Sequence, residues 1–240
     1  LGAEVAVGNM NNSENLRTAM FGCAGVYSMQ SWKDGVDVEM REGISVADTA
    51  QAMKVDFLVY SSAAGVDRNT GVPHFDSKFV IETHILDLRL KAAILRPVYF
   101  MENFLQPEFL KGMEQGVLRF PLPPDRPLQV VAISDIGEFA AEAFEHPGEY
   151  TGRTFEIAGD ELTPAEIARL CGRKLGHEVR YEEMPLEEYA RDEPERALMF
   201  EWLAREGYDA QIEALRILHP EMLSFEQWLN TVSVPQAAPV

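Results

Sequence analysis

The chain has 240 residues, 46% of them apolar, so it can bury a sizeable core. Its formal net charge of −18 excludes a nucleic-acid binder of the usual kind, which meets phosphates with a basic face; excess acid instead favours solubility. No apolar run reaches the length of a membrane span, no secretory leader is visible, and Cys23 and Cys171 are far apart and unpatterned, as expected in a reducing cytoplasm.

Taken in chain order, A-E-V-A-V (Ala3–Val7) predicts a strand almost at the first residue, and Asn12 or Ser13 caps a helix through Met20. Gly25–Met29 predicts a second strand. Val38–Met53 has helical spacing, with Ile44, Ala47 and Ala50 on one side. D-F-L-V-Y-S (Asp56–Ser61) predicts a third strand, apolar nearly throughout, as in strands buried on both faces of a parallel sheet. Phe75–Leu88 predicts a helix; Ala92–Leu95 and Leu128–Ile133 predict strands. Ser134 is expected to cap a helix over Asp135–Glu145. Thr154–Ala158 predicts a strand, and Thr163 caps Pro164–Leu175 with proline at the first helical position. From about Val179 short helices dominate, and the acids Glu187, Glu188, Asp192, Glu193 and Glu195 read as a solvated face. S-V-P-Q-A-A-P-V closes the chain as a frayed tail.

This alternation predicts an α/β fold: a Rossmann-like, doubly wound parallel sheet with a small, mostly helical C-terminal lobe. The expected division is a body over 1–178, a helical substrate or partner lobe over 179–232, and a flexible tail over 233–240. There are no internal repeats.

Open α/β sheets bind ligands at the carboxyl ends of their strands. Three predicted strand ends are polar or aromatic: S-M-Q-S-W, Y-S-S-A-A-G and R-P-V-Y-F-M-E-N-F. Just after the second, V-P-H-F-D-S-K puts His74 and Lys78 one helical turn apart. By themselves these two residues are either an acid/base couple or polar positions on a surface helix. His84, His146, His177 and His219 lack metal-ligand spacing, so no metal is assigned.

The segments L-G-A-E-V-x-x-G-N-M-N-N, V-Y-S-S-A-A-G-V-D, G-V-P-H-F-D-S-K, I-L-R-P-V-Y-F-M-E-N-F and I-S-D-I-G-E-F-A-A, in that order, resemble the NmrA-like family. That family is a branch of the atypical short-chain dehydrogenase/reductases. G-Y-D-A-Q-I-E-A-L-R and H-P-E-M-L-S-F-E-Q-W-L extend the resemblance to the end of the chain. It implies a Rossmann-type fold binding NADP or NAD. It gives Lys78 the nicotinamide ribose and sets His74 where the family's relatives carry a tyrosine acid/base. Ser62 falls near the catalytic serine, with Ser61 beside the cofactor. Pro97, Tyr99 and Phe100 match the loop passing the nicotinamide, with Asn103 close by. Asn9 stands where the family has an aspartate near adenine. The resemblance implies an NAD(P)H-dependent reductase of a small molecule, or a non-catalytic redox sensor acting through a protein partner, in the cytoplasm and without nucleic acid or membrane.

The departures carry their own expectations. Neither G-x-x-G-x-x-G nor G-x-G-x-x-G occurs in the 240 residues, so no Gly-rich turn is available to bring backbone N–H groups to a pyrophosphate. The chain opens at Leu1, and the resemblance starts at what would be the family's third strand. It therefore reads as N-terminally truncated by about one βαβ unit, on the order of 30 residues or more. On that reading Ala3–Val7 lacks a neighbour, Gly25–Met29 has an open edge, and the chain folds poorly or rearranges its first strand. The 240 residues then hold no complete dinucleotide site.

Overall fold

The computed structural model describes residues 2–233. In chain order it has α1 (Ser13–Met20), β1 (Gly25–Ser28), α2 (Val36–Met53), β2 (Phe57–Ser61), α3 (Pro73–Asp87), β3 (Ala92–Pro97), β4 (Tyr99–Phe100), α4 (Pro107–Glu114), β5 (Val117–Phe120), β6 (Leu128–Val131) and α5 (Ile133–Glu145). There follow α6 (Pro147–Tyr150), β7 (Thr154–Ile157), β8 (Asp160–Leu162), α7 (Pro164–Leu175), β9 (Arg180–Glu183), α8 (Leu186–Tyr189), α9 (Pro194–Arg205), α10 (Ile212–Leu218) and α11 (Phe225–Thr231). The chain divides into two compact units, Leu1–Arg96 with Phe139–Phe155, and Pro97–Glu138 with Glu156–Val240. Residues 178 and 179 both fall in the second.

The first unit is Rossmann-like. Its strands run in the order β1-β2-β3-β7, with β1–β2 and β2–β3 parallel. β2 is buried at every residue, as its apolar run predicts. Leu58, Tyr60, Ala92 and Ile94 turn one face of the sheet to Ala47 of α2 and Ile81 and Ile85 of α3. Phe57 meets the Phe144 ring edge-on, with centroids 6.1 Å apart. Helices thus cover both faces, which is why the strands need no polar alternation.

α2 and α3 pack closely at Gly43. A Cβ on Gly43 would sit 2.5 Å from Ile81 Cδ1, so only glycine admits this approach. Asp48 and His84 close the same seam further along, at 2.7 Å. One turn before Gly43 lies Glu39, fully buried on the same stripe as Gly43, Val46, Ala47 and Ala50.

Tyr60 is fully buried, and its hydroxyl has no hydrogen-bond partner among the described residues. Burial, then the fields of Glu39 and Glu82, hold its phenol well above the ordinary range. A buried hydroxyl without a partner costs about 1–3 kcal/mol. Tyr60→Phe should therefore leave the melting temperature unchanged or raise it by up to several degrees, measured by calorimetry. A fall of more than about 1 kcal/mol would show that the hydroxyl is bonded.

The second unit contains two further sheets. One has the order β4-β6-β8, with β4–β6 parallel and β6–β8 antiparallel; the other pairs β5 with β9 in parallel. Its core is aromatic: the Phe104 ring packs on Phe109, Phe120 and Phe225 at 5.7, 5.9 and 5.5 Å. Carboxylates fasten the C-terminal segment. Asp135 accepts the Leu223 N–H at 3.0 Å, Asp160 the Phe225 N–H at 2.9 Å, and Glu102 the Trp228 indole N–H at 3.0 Å.

Several sequence expectations are corrected. Residues 3–7 form no strand, and Val5 and Val7 are 86% and 95% exposed. Among the described residues their apolar alternation has no neighbouring strand to bond and no core to enter. Ser134 does not cap α5. The helix starts at Ile133, whose N–H is taken at 3.1 Å by both oxygens of Glu102. By contrast, beyond Val179 short helices α8 to α11 do dominate, with the four-residue β9 ahead of them. Asn12 caps α1, and Thr163 with Glu166 forms a reciprocal capping box on α7. The tail expected over 233–240 lies, from residue 234, outside the described residues.

Candidate functional site

β1 and β2 run in register with Ser28 beside Tyr60. Continuing that register brings Gln30 and Ser62 to the same level, just past the two strand ends. Both are buried, at 4% and 5% exposure. The Gln30 amide N–H donates to Ser28 Oγ at 3.1 Å and reaches Met10 Sδ at 3.9 Å. Its Oε1 has no partner among the described residues, and neither has Ser62 Oγ. The Ser62 backbone N–H donates to the Leu95 carbonyl at 2.7 Å, which extends the parallel ladder by one bond and fixes that turn. Ser61 is the last residue of β2 and is also buried.

α3 brings its first two turns to the same place. Pro73 starts it, consistent with proline's preference for the first helical turn. The Lys78 ammonium donates to Glu39 Oε1 at 2.7 Å and lies 3.5 Å from the Gln30 carbonyl oxygen. The other Glu39 oxygen accepts the Ser77 hydroxyl. Glu39 is sealed from solvent, whereas the Lys78 side chain keeps 10% exposure. His74 is buried. Its ring stacks on Trp32 with centroids 5.0 Å apart and planes 21° apart, and meets Phe75 edge-on at 4.9 Å.

Lys78 and the Gln30 backbone are therefore brought together, while Gln30 and Ser62 each follow the end of one of two adjacent parallel strands. Asn9 is differently engaged. It is exposed, its Oδ1 accepts the Asn11 N–H at 2.8 Å, and its own N–H goes to Asn15 Oδ1 at 3.1 Å. It shapes the turn into α1.

The remaining expected residues belong to the second unit. Pro97 is buried, and the next residue, Val98, donates its N–H to the Ile157 carbonyl at 3.1 Å. Tyr99 and Phe100 form β4 against Val130 and Val131. The Tyr99 ring contacts Phe104 and Phe200 at 5.7 and 6.0 Å, and loss of hydration holds its phenol above the ordinary tyrosine range. Asn103 Oδ1 accepts the Gln106 side-chain N–H at 3.2 Å.

Two residues escaped the sequence reading. Gln30 sat within a strand end already noted as polar, but nothing local marked its amide as buried. Glu39 belongs to a helix rich in acids, where it resembles a solvated position. Its signal was its place on the apolar stripe with Gly43, Val46, Ala47 and Ala50.

Among the described residues no cluster of His, Cys, Asp and Glu side chains is arranged for a metal ion, and no helix is long and apolar enough to cross a membrane. Residues 1–229 match the NmrA-like family. An NmrA-like family domain-containing protein of Dictyostelium discoideum is 25% identical over 237 residues, covering 92% of this chain and 78% of its own length. The fold is similar to that of the Escherichia coli NADPH-dependent quinone oxidoreductase in complex with NADPH. The TM-score is 0.82 and the identity 19%, covering 96% of this chain and 83% of that one. It is also similar to NmrA, a negative transcriptional regulator, in complex with NADP. There the TM-score is 0.73 and the identity 20%, covering 94% and 79%.

Proposed function

The chain belongs to the NmrA-like family, and on that premise we propose that it binds NADP or NAD and acts as an NAD(P)H-dependent reductase of a small carbonyl or unsaturated molecule. One observation carries the reading. Gln30 Oε1 and Ser62 Oγ are buried without partners at the carboxyl ends of adjacent parallel strands, in the unit whose α3 supplies the Lys78 ammonium. Buried polar groups are normally paired, so unpaired ones at a strand end mark a place where a ligand's polar groups belong.

A bound dinucleotide supplies the hydride. The residues of the first unit supply position. Lys78 donates a charge-assisted hydrogen bond to a ribose hydroxyl, Ser62 offers a donor and an acceptor, and Gln30 Oε1 accepts. The closed α2–α3 seam keeps water from the far side of the ammonium. Asn9 is left to its turn. An acceptor that takes its proton from water asks nothing of His74.

A second reading, a dinucleotide-dependent regulator without turnover, is favoured by the His74 ring. The position where the family's relatives carry a tyrosine acid is filled by an imidazole packed on Trp32. The similar NmrA structure is that of a negative transcriptional regulator in complex with NADP.

Fluorescence titration with NADPH and NADH tests binding. Lys78→Met should weaken it about 10- to 150-fold, since hydrogen bonds to charged groups contribute about 1.5–3 kcal/mol. Steady oxidation of NADPH with a quinone, imine or aldehyde panel supports the enzyme. Binding without turnover, with a protein captured in one redox state only, supports the regulator. Failure of the full-length protein to bind either dinucleotide overturns both.

A further inference from the structure

We propose that Glu39 is a positioning residue that presents the Lys78 ammonium to its ligand. The proposal rests on the reading of Lys78 as a dinucleotide contact, and it concerns a residue that touches no ligand itself.

Three observations support it. The first is burial. Glu39 is 0% exposed on a helix whose other buried residues are Gly43, Val46, Ala47, Thr49 and Ala50, none of them charged. An apolar side chain there would serve packing at least as well, because replacing a buried ion pair with apolar residues of similar volume is often neutral or stabilising. Stability alone therefore does not account for a carboxylate at this place.

The second is that the carboxylate is held from two sides. One oxygen accepts the Ser77 hydroxyl and the other the Lys78 ammonium at 2.7 Å. Ser77 and Lys78 are consecutive on α3. Ser77 fixes the plane of the carboxylate, and the carboxylate fixes the end of a four-carbon side chain that would otherwise sample many rotamers.

The third is the inventory of protons. An ammonium has three. Glu39 takes one, and the Gln30 carbonyl, at 3.5 Å, lies at the limit of taking a second. At least one is left for a ligand. Only Lys78 of the pair reaches solvent, with 10% side-chain exposure against 0% for Glu39. Glu39 can thus act on a ligand only through Lys78.

The experiment compares the intact chain with Glu39→Gln, Lys78→Met and the double variant. Dissociation constants for NADPH are measured by fluorescence and the fold of each variant by its melting curve. In parallel, reductive methylation of Lys78 without dinucleotide is followed by peptide mass spectrometry. Glu39→Gln is nearly isosteric; it removes the charge and replaces one of the two accepting oxygens with an NH2 donor. It should weaken NADPH binding about tenfold and add nothing further once Lys78 is Met. It should also raise the methylation rate of Lys78 about threefold or more, because an amide is a weaker acceptor and holds the ammonium less tightly. Unchanged affinity in Glu39→Gln, or losses that simply multiply in the double variant, would overturn the proposal; a purely structural pair would move the melting curves and show no such coupling in binding. If the wild-type chain binds no dinucleotide, the ligand reading falls by itself. Methylation then still decides on Glu39: a faster rate upholds its hold on Lys78, and an unchanged rate removes it.

Discussion

Arg96→Met is expected to lower the stability of the first unit by about 3–5 kcal/mol, the cost of leaving a buried charge without its partner. Arg96 is 9% exposed near the end of β3. Its Nε and Nη2 donate to the two oxygens of Glu82 at 2.9 and 2.7 Å, and its Nη1 donates to Asp67 at 2.6 Å. Burial works against the guanidinium charge, but the hydrogen bonds and fields of Glu82 and then Asp67 outweigh it, and its pKa lies above the ordinary range. Asp67 is partly exposed and can turn to water. Glu82 is 1% exposed and cannot. The loss should therefore come mainly from Glu82, and Arg96→Met combined with Glu82→Leu should recover most of it. Urea unfolding followed by circular dichroism measures both. A single-variant loss below about 1 kcal/mol, typical of a surface pair, would show that Glu82 finds water.

Phe104→Ala should cost about 3–5 kcal/mol, because deleting a buried ring removes its transfer energy and leaves a cavity. Phe104 is 1% exposed and touches the rings of Tyr99, Phe109, Phe120 and Phe225. Those neighbours come from β4, α4, β5 and α11, so no single element can move to fill the gap. For a chain of this size the loss corresponds to a fall of roughly 6–20 °C in melting temperature, at about 2–4 °C per kcal/mol. Phe104→Leu should lose markedly less. A fall of less than about 3 °C in the alanine variant, measured by calorimetry, would mean that the surrounding rings collapse inward.

What was legible in the sequence follows the range of the interactions. β2, α3 and α7 announce themselves by short-range signals: a continuous apolar run, an early proline, and a Thr-x-x-Glu box. β5 and β9 do not. Each has four residues and carries charged side chains such as Arg119 and Glu182, and each is a strand only because the other lies beside it some sixty positions away. The start of α5 was misplaced for the same reason. Its cap is the Glu102 carboxylate, from a different turn of the chain. Ala3–Val7 shows the converse: a strand-like pattern remains unpaired when no neighbour is present. In the candidate site, Lys78 was found through family resemblance. Glu39, its closest partner, was hidden by acidic neighbours at Asp37 and Glu42, because a side chain's burial is decided by the helix packed against it.

Gly43 has a reach beyond its own contacts. The distance between α2 and α3 acts as a gauge, and the length of a glutamate side chain is matched to it. If position 43 acquired a methyl group, the buried Ile81 side chain would have to shift, with its helix where the side chain cannot yield, and the carboxylate one turn away would loosen its grip on Ser77 and Lys78. On the proposed reading of Lys78, a mutational scan for loss of ligand affinity would then register residue 43, which carries no side chain, as strongly as the polar residues around it.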